Sequence, residues 1–290
     1  MDIKAILMGL AFALMWSGAF TSARIIVADA PPLFSLSLRF LLSGILAILV
    51  AKAMGQSWSL TRHQWRATWV FGVCQNALYL GLNFVAMQWV EASLAAIIAS
   101  LMPLMVALVG WLVFKERMRM IGIVGLVAGI LGVVMIMGSR INGGVDVTGL
   151  VLCLIAALAL TFATLSVKGA ASGGNVMMIV GLQMLIGSGC LFVVAAATET
   201  WSVILSPSWI AAFAYTTLVS GVLATWVWFE LVGRVGAVKA STFHFLNPVF
   251  GVAIAAILLG ESVGTIDYIG VVIIAGGILA VQMSKQKPSQ

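Results

Sequence analysis

Ten apolar runs, each about as long as a bilayer-spanning helix requires, follow one another with only short polar clusters between them. They cover approximately residues 4–28, 33–51, 68–88, 92–114, 121–138, 148–167, 176–197, 210–232, 237–260 and 266–283. In hydrocarbon every backbone N–H and C=O needs an internal partner, so runs of this length fold as helices. The composition agrees: 62% of the 290 residues are hydrophobic and 8% charged, which excludes an ordinary soluble domain. The expected fold is an all-α integral membrane protein of ten transmembrane helices in the inner (plasma) membrane, with loops too short to hold a soluble domain.

The net charge of +6 belongs to membrane orientation and implies no nucleic-acid partner. Alternate loops hold Lys52, Arg62 and Arg66, then Lys115, Arg117 and Arg119, then Lys168, then Arg234 and Lys239, and the tail adds Lys285 and Lys287. The intervening loops hold Asp29, Glu91, Asp146, Glu199, Glu261 and Asp267, with Arg140 as their one clear basic residue. Basic loops stay cytoplasmic, so both termini are expected there. The first run is long for a signal peptide and has a counterpart later in the chain, so it is expected to be retained as a span. Cys74, Cys153 and Cys190 fall inside runs and read as small buried hydrophobes, not as a disulfide framework.

The sequence repeats. Placing Pro103 of "SLMPLM" over Pro248 of "FLNPVF", a shift of 145 residues, brings Ala92 to Ala237, Ala95 to Ala240, Glu116 to Glu261, Gly125 to Gly270 and Gly132 to Gly277. With a one-residue adjustment Ser17 meets Thr161 and Arg24 meets Lys168. The chain therefore divides into five-helix repeats at 1–141 and 142–290. Five is odd, so the second copy enters the membrane from the opposite side, an inverted arrangement common in transporters with mid-membrane sites.

Proline removes an N–H and crowds the carbonyl four residues earlier. Pro103 and Pro248 are thus expected to kink spans four and nine and to free the carbonyls of Ala99 and His244. Irregular backbone at membrane depth has to be buried in protein or line a water-filled cavity. Other polar residues recur at helical spacing: Asn76, Tyr79 and Asn83 at i, i+3 and i+7, and His244, Asn247 and Gly251 likewise. Trp16, Ser17 and Phe20 on span one, Thr161 on span six, and Ser220, Thr225, Trp226 and Trp228 on span eight complete a neutral, aromatic set.

Each has a plainer reading. Asn and Thr also serve as interhelical glue at about 0.6–2 kcal/mol each. His244 is more pointed, because ionisable groups are costly in a span. Glu230 precedes Arg234 by four residues and reads as a helix-end ion pair. Arg39, about two turns inside span two, is expected to snorkel outward. Trp58, Trp65, Trp89, Trp201 and Trp209 read as an interfacial belt. Gly122, Gly125, Gly129 and Gly132, with Gly270, Gly276 and Gly277, read as helix-packing positions.

Ten spans in two halves, with "AIIASLMPLMVALVGWLVFKE" and "KASTFHFLNPVFGVAIAAILLGE" each followed by a Gly-rich span, resemble the EamA branch of the drug/metabolite transporter superfamily over nearly the whole chain. Within it the chain is most similar to the YddG-type amino acid exporters. The resemblance implies export by alternating access through a central cavity lined by spans one, three, four, six, eight and nine. Carried over by position, these contribute Trp16, Ser17, Asn76, Tyr79, Asn83, Ser100, Thr161, His244 and Asn247 as substrate-binding residues, and Pro103 and Pro248 as gating kinks. No catalytic residue, metal site or cofactor is expected. The expected partners are a small-molecule substrate and the lipid bilayer, and the chain is expected to act as a monomer.

Phosphorylated substrates need fixed positive charge, and apart from Arg39 no Lys or Arg lies deep in a run. A multidrug cation exporter calls for a mid-membrane carboxylate, and Glu230 lies near a run end. A zwitterion with an apolar side chain fits best. An intramembrane enzyme would need a nucleophile with its base or a cluster of acids, whereas the runs hold a single histidine without a neighbouring acid. A passive channel is the alternative that conductance measurements separate from a carrier.

Overall fold

The computed structural model describes residues 2–113, 115, 118–166, 175–236 and 240–285, and their regular structure is entirely helical. Phe114, Glu116, Arg117, Val167, Lys168, Ala237, Lys239 and Lys287, which figure in the span, charge and repeat readings, lie outside the described residues. Among those described, ten helices are long and apolar enough to cross a membrane. We label them α1 (Ile3–Asp29), α2 (Pro32–Ala53), α3 (Arg62–Ala86), α4 (Ala92–Leu112), α5 (Met120–Ile141), α6 (Val147–Leu165), α7 (Val176–Thr198), α8 (Pro207–Val235), α9 (Ser241–Leu259) and α10 (Thr265–Ser284).

Two compact units emerge, and neither coincides with a sequence half. The first contains residues 1–21, 89–150 and 223–290; the second contains 22–88 and 151–222. Each draws helices from both halves.

In the first unit α5 packs along α10 through glycine. A Cβ on Gly277 would stand 2.6 Å from the Gly125 carbonyl oxygen, and one on Gly125 would stand 2.8 Å from the Gly277 oxygen. Only hydrogen at these positions lets the backbones approach so closely. Gly276 points to open space, so its expected packing role does not hold. Arg140 is the basic residue that broke the loop-charge pattern. It pairs with both Glu91 and Asp267, its Nη2 lying 2.9 Å from Asp267 Oδ2, so two carboxylates neutralise it. Asp2 and Arg234 form a second, exposed pair, with Arg234 Nε donating to Asp2 Oδ2 at 2.9 Å. Arg234 thus meets Asp2, not Glu230 as its spacing suggested. This guanidinium holds the Asp2 carboxyl below the usual carboxylate range, at about 2.

In the second unit α2 packs along α7, with Gly44 and Gly181 at the contact. Both units use one capping device. Glu199, just after α7, accepts from the Leu33 and Phe34 N–H groups at 2.8 Å each, and Glu261, just after α9, accepts from Ala92 at 2.8 Å and Ser93 at 3.0 Å. Each carboxylate satisfies two otherwise unpaired donors at a helix N-terminus, where the helix dipole also favours negative charge. Trp209 departs from the belt reading. It is buried and stacks on Phe213 at 4.8 Å between centroids, whereas Trp58, Trp65, Trp89 and Trp201 are exposed.

Four spans depart from α geometry. Residues Gly72–Leu80 of α3 and Tyr215–Leu223 of α8 are π-helical, 143 positions apart. Span α4 breaks after Ala99 and restarts at Met102, and α9 opens with a 3₁₀ stretch, Ser241–Leu246, before its α-helical part, Asn247–Leu259. Pro103 and Pro248 each stand in the first turn of the restarted helix. There the missing N–H has no intrahelical role to lose. The expected release of the His244 carbonyl does not occur, because the 3₁₀ winding lets the Asn247 N–H donate to it.

Candidate functional site

In the first unit, the candidate residues of α1 and α9 come together. His244 lies in the 3₁₀ stretch, whose three-residue turn puts Asn247 directly beneath it. The Asn247 Nδ2 and the His244 Nδ1 are 3.0 Å apart. Ser17, fully buried, donates its hydroxyl to the Asn247 carbonyl at 3.3 Å. The Asn247 Oδ1 is buried and has no hydrogen-bond partner among the described residues. A buried polar atom left in that state is rare and calls for a functional account.

Aromatic rings surround this polar pair. Phe12 meets the His244 ring edge-on at 5.6 Å between centroids, Trp228 lies 5.3 Å from the same imidazole, and Phe12 contacts Trp228 at 4.7 Å and Trp16 at 5.7 Å. Trp16 was anticipated and Trp228 was named on span eight, but Phe12 was missed. Its signal was present: it stands four residues before Trp16, as Phe20 stands four after, on one α-helical stripe. The cluster is held by close packing. A Cβ on Gly9 would lie 2.3 Å from the Phe243 ring, and one on Gly251 would lie 2.6 Å from the Ala96 Cβ.

Ser100 and Pro103, also in this unit, are buried, and the Ser100 hydroxyl turns back to the Ala96 carbonyl at 2.6 Å. That bond closes the last turn before the α4 break.

The second unit holds the remaining candidates, and they are engaged differently. Asn76, Tyr79 and Asn83 are all at most 2% exposed. Their stripe was drawn on an α period, but Asn76 and Tyr79 lie in the π-helical stretch and Asn83 lies beyond it. Asn76 Nδ2 donates to the Gln183 carbonyl on α7 at 3.0 Å, and its Cβ sits where Gly187 leaves room. Its amide therefore ties α3 to α7. Asn83 Nδ2 donates to the Tyr79 carbonyl at 2.8 Å, and Thr161 donates to the Ala157 carbonyl at 2.8 Å.

Arg39 departs furthest from expectation. Instead of snorkelling it is buried, donating from Nε to the Thr216 carbonyl at 3.1 Å with its guanidinium 5.0 Å from the Phe40 ring centroid. The π-helical winding of α8 presents that carbonyl, and the Ser43 hydroxyl meets the next one, Thr217, at 3.2 Å.

Similarity to known proteins places this arrangement. A model of the EamA-like transporter family matches residues 3–138 and again 147–283. The chain is 28% identical to the transporter YvbV of Bacillus subtilis, over 86% of this chain and 81% of that protein. It is 27% identical to the inner membrane transporter YedA of Escherichia coli, over 96% of this chain and 91% of that one. A solved crystal structure shares its fold with a TM-score of 0.70 and 20% identity, covering 99% of this chain and all of the other. With its ten apolar helices and two matched segments, the chain belongs to the EamA-like transporter family and is a multi-pass inner-membrane transporter.

Proposed function

We propose that this transporter exports amino acids with apolar or aromatic side chains, or similar small zwitterionic metabolites, from the cytoplasm by alternating access. The observation that carries this reading is the unpartnered Asn247 Oδ1 beside His244, set among Phe12, Trp16 and Trp228. A ligand ammonium group can supply the donor that this oxygen lacks. Aromatic faces attract a cation and cover an apolar side chain. In this reading both termini are cytoplasmic, the two repeats are inverted and seal the path in turn, and a single chain is the functional unit. The matched π-helical stretches of α3 and α8 and the matched proline restarts of α4 and α9 support such a repeat.

The test is counterflow of labelled phenylalanine, leucine, lysine and aspartate into proteoliposomes holding the purified chain. Saturable exchange of phenylalanine and leucine is expected, with Phe12→Ala and Trp228→Ala raising the half-saturation concentration. Non-saturating conductance would make the protein a channel, and preferential exchange of organic cations would make it a multidrug exporter.

A further inference from the structure

The second unit is short of acid. Its residues, 22–88 and 151–222, include only two carboxylates, Asp29 and Glu199. Both are engaged near the start of α2, where Glu199 accepts from the Leu33 and Phe34 N–H groups and Asp29 from the Ser206 hydroxyl. From there α2 runs 22 residues, about 33 Å, to its other end, and a short loop leads to α3. On the first turns of α3, Arg62, His63 and Arg66 stand exposed, and no carboxylate pairs with any of them among the described residues. The capping box of Thr61 and Gln64 already occupies the helix start, so an anion arriving here meets side chains.

Two cavities adjoin this cluster, and both lie within the second unit. His63, Arg66, Ala67 and Val70 line one of about 270 Å³ together with Phe162 of α6. His63 and Arg66 also line a groove of about 660 Å³ with Arg62, Trp65 and Trp69. Phe162 is the fourth residue from the end of α6 and Arg66 the fifth of α3, so the first cavity opens between two helix ends at one level of the span. Its contents are ordered along α3. Charge occupies the first turns, whereas Trp69 and Val70 lie three and four residues past Arg66, about 5–6 Å deeper. Trp69 and Phe162 are 55% and 60% exposed. A soluble anion has no use for this apolar half. A phospholipid carries a phosphate and then acyl chains in the same order, and a guanidinium fork suits the phosphate. A headgroup with its own ammonium would call for a carboxylate, which this end of the unit lacks. The smaller cavity stands just below the range of small-ligand pockets, roughly 300–1,000 Å³, a size for a headgroup.

We propose that Arg66 and His63, flanked by Arg62, bind the phosphate of an anionic phospholipid whose chains lie over Trp69, Val70 and Phe162. The site is independent of what the transporter carries.

The experiment titrates the detergent-purified full chain with dioleoylphosphatidylglycerol or dioleoylphosphatidylcholine and counts bound lipid by native mass spectrometry. The variants are Arg66→Gln, Arg66→Lys, Trp69→Ala and, as a control on an exposed basic residue of the first unit, Arg119→Gln. Wild type is expected to bind one phosphatidylglycerol roughly tenfold or more tightly than phosphatidylcholine, as a charge-assisted fork implies. Arg66→Gln is expected to remove most of that preference, Arg66→Lys to keep part of it, and Arg119→Gln to leave it intact. Trp69→Ala is expected to weaken both lipids and to leave the preference unchanged. Equal wild-type binding of the two lipids overturns the proposal. So does an equal loss in Arg119→Gln and Arg66→Gln, which would reduce the effect to diffuse attraction of basic residues to anionic lipid. Excess inorganic phosphate and a polyglutamate peptide are expected to leave the lipid bound. Displacement by the first would make the face a site for a free anion, and displacement by the second a dock for an acidic protein segment; either overturns the lipid assignment. Should Arg66→Gln aggregate, Arg66→Lys and Arg62→Gln decide, and a preference equal to wild type's in both overturns the proposal.

Discussion

Asn247 holds His244 at two points: its backbone N–H donates to the His244 carbonyl, and its side-chain amide lies 3.0 Å from the ring Nδ1. The 3₁₀ winding just before Pro248 produces both contacts at once. His244→Leu removes the ring partner and leaves a second amide atom of Asn247 unsatisfied. Its expected cost is about 1–3 kcal/mol in stability, together with weaker substrate binding. His244→Gln supplies an amide in place of the imidazole and is expected to keep most counterflow with an unchanged pH profile. A flattened profile in the Gln variant would assign the imidazole a coupled proton.

Adjacent glycines of α10 give a sharper test of packing. A Cβ on Gly277 would fall 2.6 Å from the Gly125 oxygen and 2.9 Å from the Gly129 Cα, both backbone atoms that cannot rotate away, whereas one on Gly276 meets nothing within 4 Å. Gly277→Ala is expected to destabilise by about 1–3 kcal/mol. Gly276→Ala is expected to be neutral or slightly stabilising, since alanine has the higher helix propensity. Thermal unfolding of the two variants in detergent checks this, and equal midpoints would contradict the close α5–α10 approach.

Asn76→Ala is expected to lower stability by about 0.6–2 kcal/mol, the range for an interhelical hydrogen bond in a membrane. Its half-saturation concentration for substrate should not change, because its amide is already committed to Gln183. A raised half-saturation concentration with unchanged stability would return Asn76 to the transport path.

The spans were legible because lipid imposes length and hydropathy directly, but their edges were not always so. The third run was expected from residue 68, yet α3 starts at Arg62. Its first turn is polar and is held by a capping box in which Thr61 and Gln64 bond each other's backbone N–H at 3.2 and 2.9 Å. That signature is readable in "TRHQ" once sought outside the apolar run. The aromatic and amide residues around His244 were legible by spacing. The π-helical stretches were not, because hydropathy does not report which carbonyl a given N–H chooses. Arg39 was misjudged for the same reason: its partner is a backbone atom 177 residues away, exposed by a winding that no side-chain pattern encodes.

The Asp2–Arg234 pair gives a pH dependence of definite sign. Because Arg234 holds the Asp2 pKa at about 2 in the folded chain, the pair's contribution is fully present above the ordinary Asp value of about 3.9. It is lost as pH falls through about 2. The difference in thermal midpoint between wild type and Asp2→Asn is therefore expected to be nearly constant from neutral pH down to about 4, to shrink as pH falls toward about 2 and to vanish below it. A difference that stayed undiminished down to pH 2, or that disappeared near neutrality, would contradict the pairing.

Orientation is tested by accessibility. Arg62 begins α3 and Asp146 precedes α6, so three spans, α3, α4 and α5, separate them. Three is odd, and the two positions must face opposite compartments if each helix crosses once. The basic character of the Arg62 loop leads us to expect it on the cytoplasmic side. Cys74, Cys153 and Cys190 are free, and replacing each with alanine gives a background in which a single introduced thiol reports its side. Arg62→Cys is expected to react with a membrane-impermeant maleimide only in inside-out vesicles, and Asp146→Cys only in intact cells. Labelling of both from one side would mean that one helix between them does not cross, and the inverted relation between the repeats would then fall with it.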